Sequence, residues 1–248
     1  MRFHLISCEV FYREICHIVA RSRHEVDFRF LPKGLHNYAG QSMRQRIQDC
    51  IDAGDGRGYD AVLLGYGLCG LGLAGIQARS APLVLPRAHD CITLLLGSRE
   101  RYAEFAVEHP GTYFLSSGWI ERSGTEDSER QLTPLLTTGP SVVFDDLVAK
   151  YGEDNAKFLW NELYGPSKYY TSIAFIPMGV EPTEHFRRIA MERAESRGIS
   201  FQELKGDMTL LERLVNGPWD DDFQVFRPGE TIRPTYDEAI IGAGMPEK

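Results

Sequence analysis

Short apolar runs alternate with segments of helical periodicity along most of this chain. That alternation restricts the possible folds more than any other feature. Residues 3–9 (FHLISCE) read as a buried strand, and 10–23 read as a helix because Val10, Ile15, Ile18 and Val19 recur at near-helical spacing. Residues 26–32 (VDFRFLP) alternate and stop at Pro32, which predicts a second strand. A helix with Met43 and Ile47 on one side follows over 40–53, ended by the run Gly54 to Gly58. Further strands are expected at 60–66 (DAVLLGY), 81–88 (APLVLPRA) and 112–119 (TYFLSSGW), with one helix over 91–108 between the last two. Beyond a polar loop at 122–130 the pattern loosens. It predicts a helix or helix pair over 141–164, strands at 170–177 and near 200–205, helices over 182–197 and 207–216, and an extended segment at 223–227.

Strands alternating with helices predict an α/β protein. The expected architecture is a mainly parallel, doubly wound sheet with helices on both faces, Rossmann-like in character. Short, uninterrupted apolar strands suit a parallel sheet, which is buried on both sides. Right-handed crossovers gather the strand-to-helix loops at one sheet edge, and ligands of such folds bind beyond the carboxyl ends of the strands. No linker clearly divides the 248 residues. A single domain over 1–248 is expected, and the loop at 122–130 is where two lobes, 1–121 and 122–248, would part.

The net charge of −8 and pI near 5.4 disfavour a nucleic-acid partner, because a phosphate backbone demands clustered Lys and Arg. The densest basic stretch, Arg187 to Arg197, is interrupted by Glu192 and Glu195 and reads as a solvated helix face. No run approaches the roughly 18 apolar residues of a membrane span. The opening MRFHLISCEV reads as a first strand and not as a signal peptide, so a soluble, cytoplasmic protein is expected.

Five cysteines in such a chain point to metal binding or reactivity before disulfides. Cys8 ends the first strand, Cys69 lies just beyond the third, and His89 and Cys91 lie just beyond the fourth. All four therefore fall at one sheet edge. Three thiolates and an imidazole suit tetrahedral zinc, and soft thiolate ligands also suit an iron–sulfur cluster. Cys8, Cys69, His89 and Cys91 are accordingly the expected metal ligands. Cys16 and Cys50 fall inside helices and read as small buried hydrophobes. Each of the edge cysteines has the same bland alternative, since cysteine is among the most buried residue types.

Other residues at this edge are candidates for holding a cofactor or substrate. His36, in LPKGLHN, follows the second strand and is an alternative ligand or a simple hydrogen-bonding residue. Arg87 adds positive charge near Cys91. Gly67 and Gly70, in GYGLCGLGLAG, would let backbone amides approach a ligand. Gly65, Gly67 and Gly70 also match G-x-G-x-x-G, but after the third strand and without the usual following acidic residue, so dinucleotide binding is poorly supported. Asp90 reads as a helix cap. Glu9 reads as a salt-bridging residue before a general base. Trp119, placed at the end of the fifth strand, reads as a pocket wall or a core residue. No phosphate loop, nucleophile elbow or H-E-x-x-H pair is present.

The segments LISCEVFYREI, LPKGLHN, YDAVLLGYGLCG, PLVLPRAHDCITLLLGS and GTYFLSSGWIE, with LKGDMTLLERLVNGPWDDDFQVFRPGETI further on, resemble the domain of unknown function 1638 family (DUF1638). The resemblance covers nearly the whole chain, and GYGLCG with PRAHDC is its most specific part. It implies a prokaryotic protein associated with corrinoid-dependent methyl transfer, with Cys8, Cys69, His89 and Cys91 as the site. It implies no established reaction.

Three functional expectations follow. The first is a metal-dependent enzyme or component, a transferase in corrinoid-linked one-carbon chemistry, acting on a small molecule beside a corrinoid protein or methyltransferase. The second is a non-enzymatic accessory protein that binds metal or corrinoid. The third is a metal-free enzyme with Cys69 or Cys91 as nucleophile and His89 as base.

Overall fold

A computed structural model describes residues 1–37, 40–69, 71–122, 148, 152–153, 155–156, 170–235 and 237–245, with the side chains of 36–37 and 40–42 outside that description. The expected helix or helix pair at 141–164 and the loop at 122–130 fall almost wholly outside the described residues.

The first sheet has the order β2-β1-β3-β4-β8. Its strands are β1 (Arg2–Cys8), β2 (Glu25–Leu31), β3 (Ala61–Gly65), β4 (Leu83–Pro86) and β8 (Phe223–Phe226). The first four run parallel, and β8 closes the edge antiparallel to β4. Every residue of β3 and β4 is buried, as their unbroken apolar sequence predicts. The outer strand β2 is half exposed and edged by charge, with Asp27 accepting from Arg2 and Tyr59.

Chain order turns back between β1 and β3. The helix α1 (Tyr12–Val19) leads from β1 outward to β2, and α2 (Gly40–Gly54) leads from β2 across to β3. The right-handed rule puts these two helices on opposite faces. A crevice is expected where strand order reverses, and Cys8 and the loop after β3 lie there.

The parallel strands are divided between two sheets. β5 (Thr112–Leu115), β6 (Ser172–Phe175) and β7 (Ser200–Glu203) form a separate parallel sheet in that order. Thus the protein is mixed α/β with a mostly parallel central sheet, and the later strands do not extend it. β9 (Thr231–Pro234) and β10 (Ile241–Gly244), which the sequence pattern does not announce, form an antiparallel pair.

Two expected elements are revised by capping. The helix predicted over 91–108 is two helices, α3 (Cys91–Leu96) and α4 (Arg99–Glu108). The first stops at Gly97, whose φ is 72°, and Ser98 caps the second by accepting from the Arg101 amide at 3.1 Å. Likewise the strand expected over 112–119 ends at Leu115. Ser116 caps the short helix α5 (Ser117–Glu121), which carries Trp119. The remaining helices are α6 (Thr183–Arg197), after β6, and α7 (Thr209–Asn216), which packs on α1, β3 and β4. Among the described residues no helix is long and apolar enough to cross a membrane.

Candidate functional site at the meeting of two sheet edges

The carboxyl edges of the two parallel sheets meet, and α5 is the piece that joins them. It packs on the 3-10 turn Glu9–Phe11 that follows β1. The approach is so close that a Cβ on Gly118 would run into the Val10 carbonyl. Arg13 on α1 holds both carboxylate oxygens of Glu121 on α5, at 3.0 and 3.2 Å from Nε and 2.8 Å from Nη2.

Three thiols converge beneath this junction. Cys8 and Cys91 are buried, and Cys69 is half-buried. The loop after β3 is zipped to the segment after β4. The Leu68 amide donates to the Ala88 carbonyl and the Cys69 amide to the His89 carbonyl, both at 2.8 Å. Gly67 is required here because a Cβ would lie 2.7 Å from the Asp90 backbone. Cys69 itself adopts φ 50°, a left-handed conformation that non-glycine residues seldom occupy. The sulfurs are close enough to influence each other's titration.

Polar N–H groups lie close to each sulfur. The Val10 and Glu9 amides beside Cys8, the Gly67 amide beside Cys69 and the Trp119 side chain beside Cys91 each pull the thiol downward. These donors favour thiolates, but burial outweighs them. Burial pushes Cys8 up to about 12 and pushes Cys69 and Cys91 upward as well. The thiols therefore rest neutral.

Lys33 completes the cluster. It stands just beyond β2 and is only 8% exposed. Its ammonium donates to the Trp119 carbonyl at 3.0 Å and lies 4.8 Å from the centre of the Trp119 ring. Its backbone amide donates to Glu9 Oε1 at 3.0 Å, so Glu9 anchors this loop. Burial, aided by Arg193, lowers Lys33 to about 8, against the opposing influence of Cys8, Glu9 and Cys91. Tyr66, buried after β3 near Cys8 and Cys69, has a hydroxyl with no hydrogen-bond partner among the described residues.

The expected metal centre is corrected. Among the described residues no group of three or more His, Cys, Asp and Glu side chains is arranged to hold a metal ion. Cys8, Cys69 and Cys91 do come together, but His89 is exposed while Cys8 and Cys91 are buried and Cys69 half-buried. The zinc and iron–sulfur expectations lose their support with it. The His36 backbone lies in the 3-10 turn Lys33–Asn37, and its side chain is outside the described residues, as is all of Gly70. Arg87 is directed elsewhere: it donates to the Ala239 and Ile241 carbonyls at 2.8 and 2.5 Å and to Gln224 Oε1 at 2.5 Å. Asp90 caps α3, accepting from the Ile92 and Thr93 amides at 2.9 and 3.4 Å and from the Tyr102 hydroxyl at 3.0 Å. Cys50 is buried in α2, and Cys16 is half-buried in α1.

Lys33 and Tyr66 escape a sequence reading that searches for metal ligands. Lys33 had a readable signal, since it follows Pro32 at the same edge as the cysteines. Tyr66 had none beyond ending a strand.

A family described as Protein of unknown function (DUF1638) matches residues 30–215, and it is the family that the sequence segments resemble. No curated protein matches the chain, and no solved structure does. The family description carries nothing on corrinoids or methyl transfer, so the expectation of a metal-dependent methyl-transfer component is left without a metal centre or an assigned reaction.

Proposed function

The chain belongs to the DUF1638 family, whose description assigns no activity, and we propose that it acts on a small electrophilic molecule by thiol chemistry, with Cys91 as nucleophile and Lys33 as the group that takes its proton. The observation that carries this reading is the Lys33–Trp119–Cys91 constellation. The Trp119 side chain lies by the Cys91 sulfur and favours its thiolate, while the same residue's ring and carbonyl hold the Lys33 ammonium.

A thiol and an amine that feel each other titrate as a pair. Below about 8 the pair is a thiol and an ammonium. Loss of one proton gives two forms, thiol with free amine and thiolate with ammonium. The second form is the nucleophile. The Trp119 side chain favours its charged sulfur, and neighbouring neutral S–H groups can donate to it weakly. Sulfur then bonds to the electrophilic carbon. The bond to the leaving group breaks, the leaving group keeps the electron pair, and the Lys33 ammonium supplies its proton. Lys33 replaces His89 as the base because the histidine is exposed and the amine is enclosed.

The test is the pH profile of Cys91 alkylation by iodoacetamide, followed by peptide mass mapping, with half-buried Cys16 as internal reference. The native chain should show an inflection near 8 that is missing in Lys33→Met, where the rate should keep rising with pH. Identical profiles in the two proteins overturn the assignment. So does a Cys91 that stays unlabelled at every pH while Cys16 reacts.

A further inference from the structure

Glu14 is fully buried in α1, and neither of its carboxylate oxygens has a hydrogen-bond partner among the described residues. Leaving a buried carboxylate unpaired is expensive once it carries charge. Its position gives that cost a consequence. Its neighbours Tyr12 and Arg13 make the contacts that hold α1 against the second sheet. The guanidinium of Arg122, the residue just after α5, lies 4.3 Å from the Tyr12 ring centre, and Arg13 sits 5.5 Å from the Phe186 ring centre of α6.

The charged groups around Glu14 offer it little. Arg13 is committed to Glu121. Glu121 and Glu181, from α5 and the loop after β6, are acidic and repel it. Glu181 takes its own hydrogen bonds from the Met178 and Val180 amides and the Thr183 hydroxyl, each at 3.1 Å. On the other side, α7 packs on α1 with Glu212 exposed and Arg213 bound to Asp220 and Asp222. From the turn before α1, Glu9 is bound to the Lys33 amide.

We propose that Glu14 gates access to the buried thiols: with its carboxyl neutral the α1–α5 junction stays closed, and ionisation loosens that junction and admits small molecules to the site beneath. The proposal rests on the reading of Lys33 and Cys91 only for what lies beneath the junction.

The sign follows from burial, which raises Glu14 from 4.5 to about 7. An opened junction hydrates the carboxylate and restores its ordinary value. Between these limits the closed form holds a proton that the open form has released. Opening therefore grows more favourable as pH rises through this window, by up to about tenfold per pH unit, and levels off above it.

Hydrogen–deuterium exchange read by peptide mass spectrometry tests the gate without using thiol chemistry. The native chain, Glu14→Gln and Glu14→Leu are compared at matched pH, so intrinsic exchange rates cancel. The expected result is that protection of α1 and α5 in the native chain, relative to both variants, falls by up to about tenfold per pH unit across the window, while β3 and β4 stay unchanged. Two variants guard against one folding poorly, because neither can titrate. The proposal is overturned if the native chain and a folded variant show the same pH dependence, or if protection is lost over the first sheet as well. Failure here leaves the Lys33-dependent alkylation profile intact, and failure of that profile leaves the exchange result intact.

Discussion

The Lys33 ammonium donates to the Trp119 carbonyl at 3.0 Å and lies 4.8 Å from the centre of the same residue's ring. One lysine beyond β2 thus meets one helix of the second sheet twice, across 86 residues of sequence. A cation held over an indole is attracted by the ring's electron-rich face, and burial strengthens that attraction while penalising the charge itself.

That penalty is visible in stability. Lys33 titrates near 8 in the folded chain and at its ordinary 10.5 when unfolded. Between these values the unfolded chain binds the extra proton. Stability should therefore rise with pH across this window, relative to Lys33→Met, which has nothing to titrate. Urea unfolding at a series of alkaline pH values measures it. A parallel course for the two proteins would refute the burial of the charge.

Trp119→Phe separates the two roles of Trp119. The ring under Lys33 and the carbonyl are kept, and the indole N–H near Cys91 is lost. If that N–H favours the thiolate by about 1 kcal/mol, its loss corresponds to about a fivefold slower alkylation of Cys91 below the plateau. The inflection that Lys33 produces should remain. Its disappearance would show that the indole, and not the amine, sets the profile.

Gly118→Ala should displace α5, because the added Cβ meets the Val10 carbonyl and both partners are backbone. A loss of about 3 kcal/mol is expected from such overpacking. Denaturant midpoints give the loss, and faster labelling of Cys91 would show that the lid over the thiols has moved.

Asp90→Ala removes the cap of α3, with an expected loss of about 1–2 kcal/mol in thermal or urea unfolding. Asp90→Asn keeps a capping oxygen and should lose less. Equal losses would mean that the Tyr102 hydrogen bond, and not the cap, is the stabilising contact.

Leu71→Gly should stabilise the fold. Leu71 holds φ 76° with 48% of its surface exposed, so it suffers the left-handed penalty and buries little in return. The expected gain, after the entropy of glycine is deducted, is up to about 1 kcal/mol. A lower urea midpoint would refute it.

Much of this was legible along the chain. Unbroken apolar runs such as AVLLG identified parallel strands, because a strand covered on both faces cannot alternate. The strand-to-helix order placed Cys8, Cys69 and Cys91 at one edge before any coordinate did. Even Glu14 leaves a trace. It stands four residues after Val10 and four before Ile18, on the side of α1 that the core covers. The ends of elements were less legible. Ser98 and Ser116 could have been read as caps, yet they lie inside runs that continue a helix or a strand by pattern alone.

By itself, then, the sequence determined the α/β alternation, the shared edge of three cysteines and the family. These follow from short-range periodicity and from the handedness of crossovers, which every local segment carries with it. The tertiary structure alone decided that the later strands form their own sheet, that His89 faces solvent while Cys8 and Cys91 are buried, and that Lys33 and Glu14 are withdrawn from most or all contact with water. Those outcomes depend on where α5 comes to rest, through contacts such as Arg13 with Glu121, 108 residues apart. Burial by so distant a segment changes the charge of a side chain without leaving any mark in the residues beside it.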